Sequence, residues 1–198
     1  LTDPRLAWVR EVIGQQVTQL ARLVDDLLDV SRIDQNKGKE EKKTVDIISV
    51  IRDAIAALSA EAEKRSITVD LVVPEESVPG IMAPPKRLYE AFENLVSNGI
   101  KYNRAGGRLD IVVANTDKGL EVTLRDTGIG IPTDDQSKIF SKFFRASNAV
   151  LKETEGSGLG LSVVKSYLEE ADGRISFESV EGVGTTFLIR FPFNPLDT

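Results

Sequence analysis

The sequence predicts an α+β fold: a two-layer sandwich of a mixed, mostly antiparallel sheet with helices on one face, preceded by a long bundle-forming helix. Three observations lead there. A heptad-like apolar seam runs from about Pro4 to Arg32 and is followed by a charged linker. Helical and alternating segments then mix along the remainder of the chain. Two pairs of alternating segments are joined by short turn-forming stretches, which marks hairpins and therefore antiparallel pairing.

The leading helix opens at Pro4, which suits a first helical turn, with Asp3 as its N-cap. Its seam is Leu6, Val9, Ile13, Leu20, Leu23, Leu27 and Val30, interrupted only by Gln16. Val17 and Val24 widen the seam into the broad face of a helix bundle. Such a helix is on the order of 40 Å long. No other segment matches it, so its apolar face calls for a missing neighbour, a second copy, or both. The polar run Gln35 to Lys43 reads as a linker. We therefore divide the chain into residues 1–38, the helix and linker start, and residues 39–198, a second unit whose structure begins near Thr44.

In that unit, Val45 to Ile47 reads as a short strand, and Ile48 to Lys64 has helical spacing. Ile67, Val69, Leu71 and Val73 alternate as a strand. Pro74 to Pro85 holds four prolines and reads as a loop. Lys86 to Tyr102 reads as a helix with Leu88, Phe92, Leu95, Val96 and Gly99 on one side. Arg108 to Asn115 and Leu120 to Arg125 form a hairpin around Asp117-Lys118-Gly119. Gly128 to Gly158 reads as irregular, with a helical patch near Gln136 to Arg145. A helix from Leu159 to Ala171 precedes a last hairpin, Ile175 to Val180 and Thr185 to Phe191.

Composition narrows the chemistry. Hydrophobic residues at 41% and charged residues at 28% fit a soluble globular chain. A net charge of −6 argues against a general nucleic-acid binder. With no cysteine, neither a disulfide framework nor thiolate chemistry is available, and with no histidine the usual general base is missing. No apolar run reaches the roughly 18 residues of a membrane span, and no signal peptide is visible. The start at Leu1 and the unpunctuated end fit a piece of a longer polypeptide.

Four segments carry chemistry. Asn94, Asn98 and Lys101 fall on one face of a helix, where amide oxygens suit Mg²⁺ and a lysine one turn on supplies a compact charge for phosphate. Taken alone, they would read as a solvated polar face. Asp126-Thr127-Gly128-Ile129-Gly130-Ile131 follows a strand, and its glycines let backbone approach a flat ligand. The Asp126 carboxylate only accepts hydrogen bonds, so it suits an exocyclic amine and not a phosphate. Gly156-Ser157-Gly158-Leu159-Gly160 enters a helix and exposes N–H groups to an anion. Phe140, Phe143, Phe144 and Arg145 read either as the anchor of a lid, with Arg145 and Lys142 reaching phosphates, or as a small satellite core.

In order and spacing these segments, with Gly182-Val183-Gly184-Thr185, resemble the ATP-binding domain of sensor histidine kinases over roughly residues 44–192. Gyrase, mismatch-repair and heat-shock-chaperone ATPases share that fold. Leu23 to Ile33 resembles the second helix of the kinase dimerisation and phosphotransfer hairpin. The resemblance implies ATP and Mg²⁺ as ligands, with Asn98 on the metal and Asn94 beside it. Lys101 would meet phosphate, and Tyr102 would border adenine. Asp126 would accept the adenine amine, with Gly128 and Gly130 allowing close approach and Ile131 alongside. Gly158 and Gly160 would line the triphosphate as part of the lid, Arg145, Ser157 and Leu159 would also belong to the nucleotide site, and Thr185 would support the adenine-side polar network. A homodimer through the first helix, a response-regulator partner and a cytoplasmic location follow from the same resemblance.

One position separates kinase from hydrolase. Gyrase-like ATPases place a water-activating glutamate where Asn94 falls, and an amide cannot act as a base. Glu93 is one residue away and is expected to point about 100° around the helix. Weak ATP hydrolysis and phosphoryl transfer to a protein side chain are expected. The chain departs from the family in lacking the acceptor histidine, in Gly99 where alanine is usual, and in Met82-Ala83-Pro84-Pro85 where an acidic residue is common. An anti-sigma-type serine kinase and a non-catalytic nucleotide-sensing scaffold of the same fold are the alternatives, and the leading helix speaks against the first.

Overall fold

The computed structural model describes Gly14 and residues 40–117, 119–153 and 156–192. Gly14 is helical, and the rest of the expected bundle helix lies outside the described residues. In chain order the elements are β1 (Lys43–Val45), α1 (Ile47–Ala57), α2 (Ser59–Lys64), β2 (Thr68–Val72), β3 (Ile81–Ala83) and α3 (Pro85–Lys101). They continue with β4 (Arg108–Thr116), β5 (Gly119–Asp126), α4 (Thr133–Gln136), α5 (Ser147–Lys152), α6 (Gly160–Glu170), β6 (Arg174–Val180) and β7 (Gly184–Phe191).

The sheet is mixed, with five strands in the order β2-β4-β5-β7-β6. Only the β2–β4 pair is parallel, and every other neighbour is antiparallel. Alternation sets which face is covered: Leu109, Ile111 and Val113 of β4, Leu120, Val122 and Leu124 of β5, and Phe187, Ile189 and Phe191 of β7 are buried. The helices supply the second layer, with α3 packed against both α1 and α6 and touching β4 and β5. In α3, Pro85 fills the first turn, where no N–H is needed, and Leu88, Ala91, Phe92, Leu95, Val96, Gly99 and Ile100 are buried. Among the described residues, no helix is long and apolar enough to cross a membrane.

Four local expectations change. Ile47 opens α1 instead of ending a strand, because the Asp46 carboxylate accepts the N–H groups of Ile48 and Ser49 as an N-cap. The helical stretch to Lys64 splits at Leu58, whose N–H tightens onto the Ile55 carbonyl at 3.2 Å. The proline-rich loop contains β3, paired antiparallel with β1, because Ile81 and Ala83 bury beneath exposed Met82. Three residues are too few for periodicity to show. The helical patch expected near Gln136 to Arg145 is instead a run of turns between α4 and α5, with Phe143 in the left-handed region at φ 64°.

Gly99 has a packing reason. A Cβ there would lie 2.7 and 2.9 Å from the two methyls of buried Leu109. Helix propensity alone would reward alanine by about 1 kcal/mol, whereas overpacking costs about 1–3 kcal/mol. Gly99→Ala is therefore expected to lower urea-unfolding stability by about 1 kcal/mol. Combining it with Leu109→Val should cost less than the sum of the two single changes. A stabilised Gly99→Ala variant would show that the helix-to-sheet contact has room.

Candidate functional site

A cavity of about 490 Å³ opens beside α3. Every site residue expected from the sequence lines it except Gly128. From α3 come Asn94, Asn98 and Lys101, with Tyr102 at the helix end. Asp126, Gly130 and Ile131 enter from the end of β5, and Thr185 from the start of β7. Arg145 and the loop of Ser157, Gly158, Leu159 and Gly160 close the remaining side. Gly128 sits behind Asp126, its N–H donating to Oδ1 at 2.7 Å, and a Cβ on it would lie 2.4 Å from the Tyr102 carbonyl oxygen.

The α3 wall presents amides. Asn94 donates its Nδ2 to the Glu90 carbonyl at 3.0 Å, which fixes its oxygen as the free end. That oxygen would be 3.2 Å from a Cβ on Gly160, so a glycine there lets the start of α6 close on the amide. Asn98 makes no side-chain hydrogen bond among the described residues. No group of three or more acidic, histidine or cysteine side chains among those residues could hold a metal. A neutral amide oxygen, with phosphate oxygens and water completing the shell, is a donor set that fits Mg²⁺.

A polar network surrounds Asp126. Its Oδ1 accepts the N–H of Gly128 at 2.7 Å and of Thr185 at 3.2 Å, while Oδ2 takes no hydrogen bond among the described residues. Ser179 Oγ and Thr185 Oγ1 share a 2.9 Å bond, and Ile131 donates its N–H to Ser179 Oγ at 2.9 Å. Gly130 adopts φ 62°, and a Cβ on it would lie 2.0 Å from the Val180 carbonyl oxygen. Only glycine fits that close passage. Burial pushes the Asp126 carboxyl above the ordinary aspartate range, and the two backbone N–H bonds pull against it.

That shift has a definite sign. Because the folded pKa lies above the unfolded one, Asp126's contribution to fold stability is complete at low pH and is lost as pH rises through the folded value. A ligand amine needs the ionised form, so affinity for such a ligand is expected to fall on acidification, starting above the ordinary aspartate range. Binding titrations across pH check this. An Asp126→Asn variant should lack the step.

Several residues escaped the sequence. Asn103, 3% exposed, donates Nδ2 to the carbonyls of Gly99 and Arg108 at 2.8 and 2.9 Å. Its Oδ1 accepts from Thr127 Oγ1 at 3.1 Å, so it ties the end of α3 to the Asp126 corner. The one sequence signal for it is a polar residue placed just after the helix and before Gly106-Gly107. Asn148, unremarkable in sequence, donates to the Gly130 carbonyl at 2.9 Å and lines the cavity. Nothing in β6 distinguishes Ser179 beforehand.

Two side-chain readings gain detail. Glu93 borders the cavity beside Asn94, because the cavity spans a wider arc of α3 than one residue row; its Oε1 accepts the Tyr89 hydroxyl at 3.2 Å. In the Phe140–Arg145 segment, Phe140 stacks edge-on against Phe177 at 5.9 Å, and Phe144 packs on the main core, whereas Phe143 is exposed. Arg145 lines the cavity, and its guanidinium donates to the backbone carbonyls of Ala149, Glu153 and Gly156.

The chain is similar to known proteins in sequence and fold. The model of the histidine kinase-, DNA gyrase B- and HSP90-like ATPase family matches residues 83–195. The sensor histidine kinase RppB of Synechocystis sp. is 29% identical, over 96% of this chain and 42% of its own length. The signal transduction histidine-protein kinase BarA of Escherichia coli K12 is 31% identical, over 92% of this chain and 21% of its own. The structure of full-length ShkA in complex with AMPPNP superposes with a TM-score of 0.79 at 25% identity, over 98% of this chain and 40% of that one. The chain thus spans less than half the length of these relatives. It belongs to the histidine kinase-, DNA gyrase B- and HSP90-like ATPase family, and it carries the ATP-binding domain of a sensor histidine kinase.

Proposed function

We propose that this domain binds Mg-ATP and delivers the γ-phosphoryl group to a histidine that is not in this sequence, for signalling to a response regulator. The observation that carries the reading is one cavity lined together by Asn98 and Lys101 of α3, the glycine loop and Asp126. The AMPPNP bound by similar ShkA supports a triphosphate there. Asp126 accepts the adenine amine, and Tyr102 and Ile131 border the base. Lys101 meets phosphate, and the N–H groups of Gly158 to Gly160, at the start of α6, receive phosphate oxygens. Asn98 holds Mg²⁺, with Asn94 beside it; the metal, when bound, neutralises phosphate charge.

The imidazole nitrogen of the acceptor takes the phosphoryl group as the bond to the β-phosphate oxygen breaks, and ADP leaves. Water competes weakly, because Asn94, an amide that cannot act as a base, stands where the related hydrolases carry a water-activating glutamate. Residues 1–38 supply the second helix of the dimerisation hairpin, making the parent a homodimer, and residues 39–198 form the catalytic domain. Use of ATP and a response-regulator partner both support a cytoplasmic position for this part of the parent. The test mixes this chain with the histidine-bearing segment of its parent and γ-labelled Mg-ATP. Acid-labile label on that segment, with slow ATP loss in its absence, is the expected result. Fast hydrolysis by the chain alone contradicts the reading.

A further inference from the structure

Arg65 stands outside the cavity, at the C-cap of α2, yet its guanidinium reaches Lys101, which lines the cavity, and Glu153, whose backbone holds cavity-lining Arg145. Its Nε donates to Glu61 Oε1 at 2.5 Å, its Nη1 to the Lys101 carbonyl at 3.3 Å and its Nη2 to Glu153 Oε2 at 3.0 Å. The pair is shielded, with side-chain exposures of 31% for Arg65 and 22% for Glu153. The Lys101 carbonyl lies in the last turn of α3, where carbonyls lack an intrahelical donor and a cation is favoured. Glu153 offers its backbone carbonyl to Arg145, and Arg145 also donates to the Gly156 carbonyl at 3.5 Å. An unbroken line of contacts therefore runs from Lys101 through Arg65, Glu153 and Arg145 to the first glycine of the loop.

We propose that Arg65 is a positioning residue for phosphate binding: it braces the end of α3 that carries Lys101 against Glu153, and so places the Gly156–Gly160 loop. The proposal rests on the nucleotide reading of the cavity. Glu61 orients the guanidinium, leaving the two terminal nitrogens to span the gap. Lysine cannot replace it, because one ammonium on a flexible stem does not hold three divergent acceptors in a fixed fork. Since Arg65 does not touch the base end, its loss should act on phosphates and spare the adenine-side contacts.

Affinities for Mg-ATP and for AMP, measured by competition on the full chain, test this. Arg65→Ala and the milder Arg65→Lys should each weaken ATP about tenfold and leave AMP within about twofold. Glu153→Gln should do the same to a lesser degree, and adding it to Arg65→Ala should weaken ATP no further. A role in stability alone would move both ligands together. Wild-type chain that binds ATP, with an ATP-to-AMP ratio unchanged in Arg65→Lys and Glu153→Gln, overturns the brace. Wild-type chain that binds neither ligand overturns the nucleotide reading and the brace with it.

Discussion

Asp126→Asn is expected to shift the ATP-to-ITP preference by at least about 100-fold, within the range by which buried polar sites reject mispaired ligands. The Asp126 Oδ1 is already committed to the N–H groups of Gly128 and Thr185, so the asparagine oxygen must take that position. Its amide nitrogen then occupies the place of Oδ2. There it meets the adenine amine donor against donor, but it complements the carbonyl that ITP carries at the same ring position. Stability at neutral pH should hold or rise, because the ionised carboxylate is disfavoured by burial and its backbone partners keep their acceptor. Competition binding with both nucleotides, paired with a thermal melt, measures the two effects. An unchanged preference in a folded variant would mean that Asp126 does not read the base.

Asn98→Ala should weaken Mg-ATP by about 100-fold, the upper end of the loss seen when a metal site loses even a supporting partner. ATP measured in a chelator should bind wild type and variant within about threefold of each other, since the amide oxygen is assigned to the metal and not to the nucleotide. Asn98 makes no side-chain hydrogen bond among the described residues, so the fold should lose little. Calorimetry with and without Mg²⁺ separates these outcomes. Equal Mg-ATP affinity in both proteins would move the metal to another donor, with Asn94 the nearest amide on the same face.

What could be read in the sequence follows a physical rule. Helix α3 was legible because its apolar residues recur over many turns, although its first residue, Pro85, reads as the end of the preceding loop. The β4–β5 hairpin was legible because alternation runs on both sides of a turn signal. Most cavity residues could be named because the order of motifs on α3, after β5 and in the glycine loop resembles a known family, which also implied Thr185 of β7 and Arg145 of the turn segment. Strand β3 was hidden because it exists only through its pairing with β1. The segment from α4 to α5 was misjudged because its shape depends on Phe143 in a left-handed conformation and on Phe140 and Phe144 reaching the core, which no local period encodes. Ser179 and Asn103 matter through partners far away in sequence, and Arg65 looks like an ordinary surface cation until Glu153 and Lys101 are seen beside it.

Whether the cavity is a nucleotide site is tested most directly by calorimetric titration of Mg-ATP into this chain. Saturable binding at one site per chain, displaced by AMPPNP and weaker for ITP, is the predicted result. No saturable heat, or ITP bound as tightly as ATP, would contradict it.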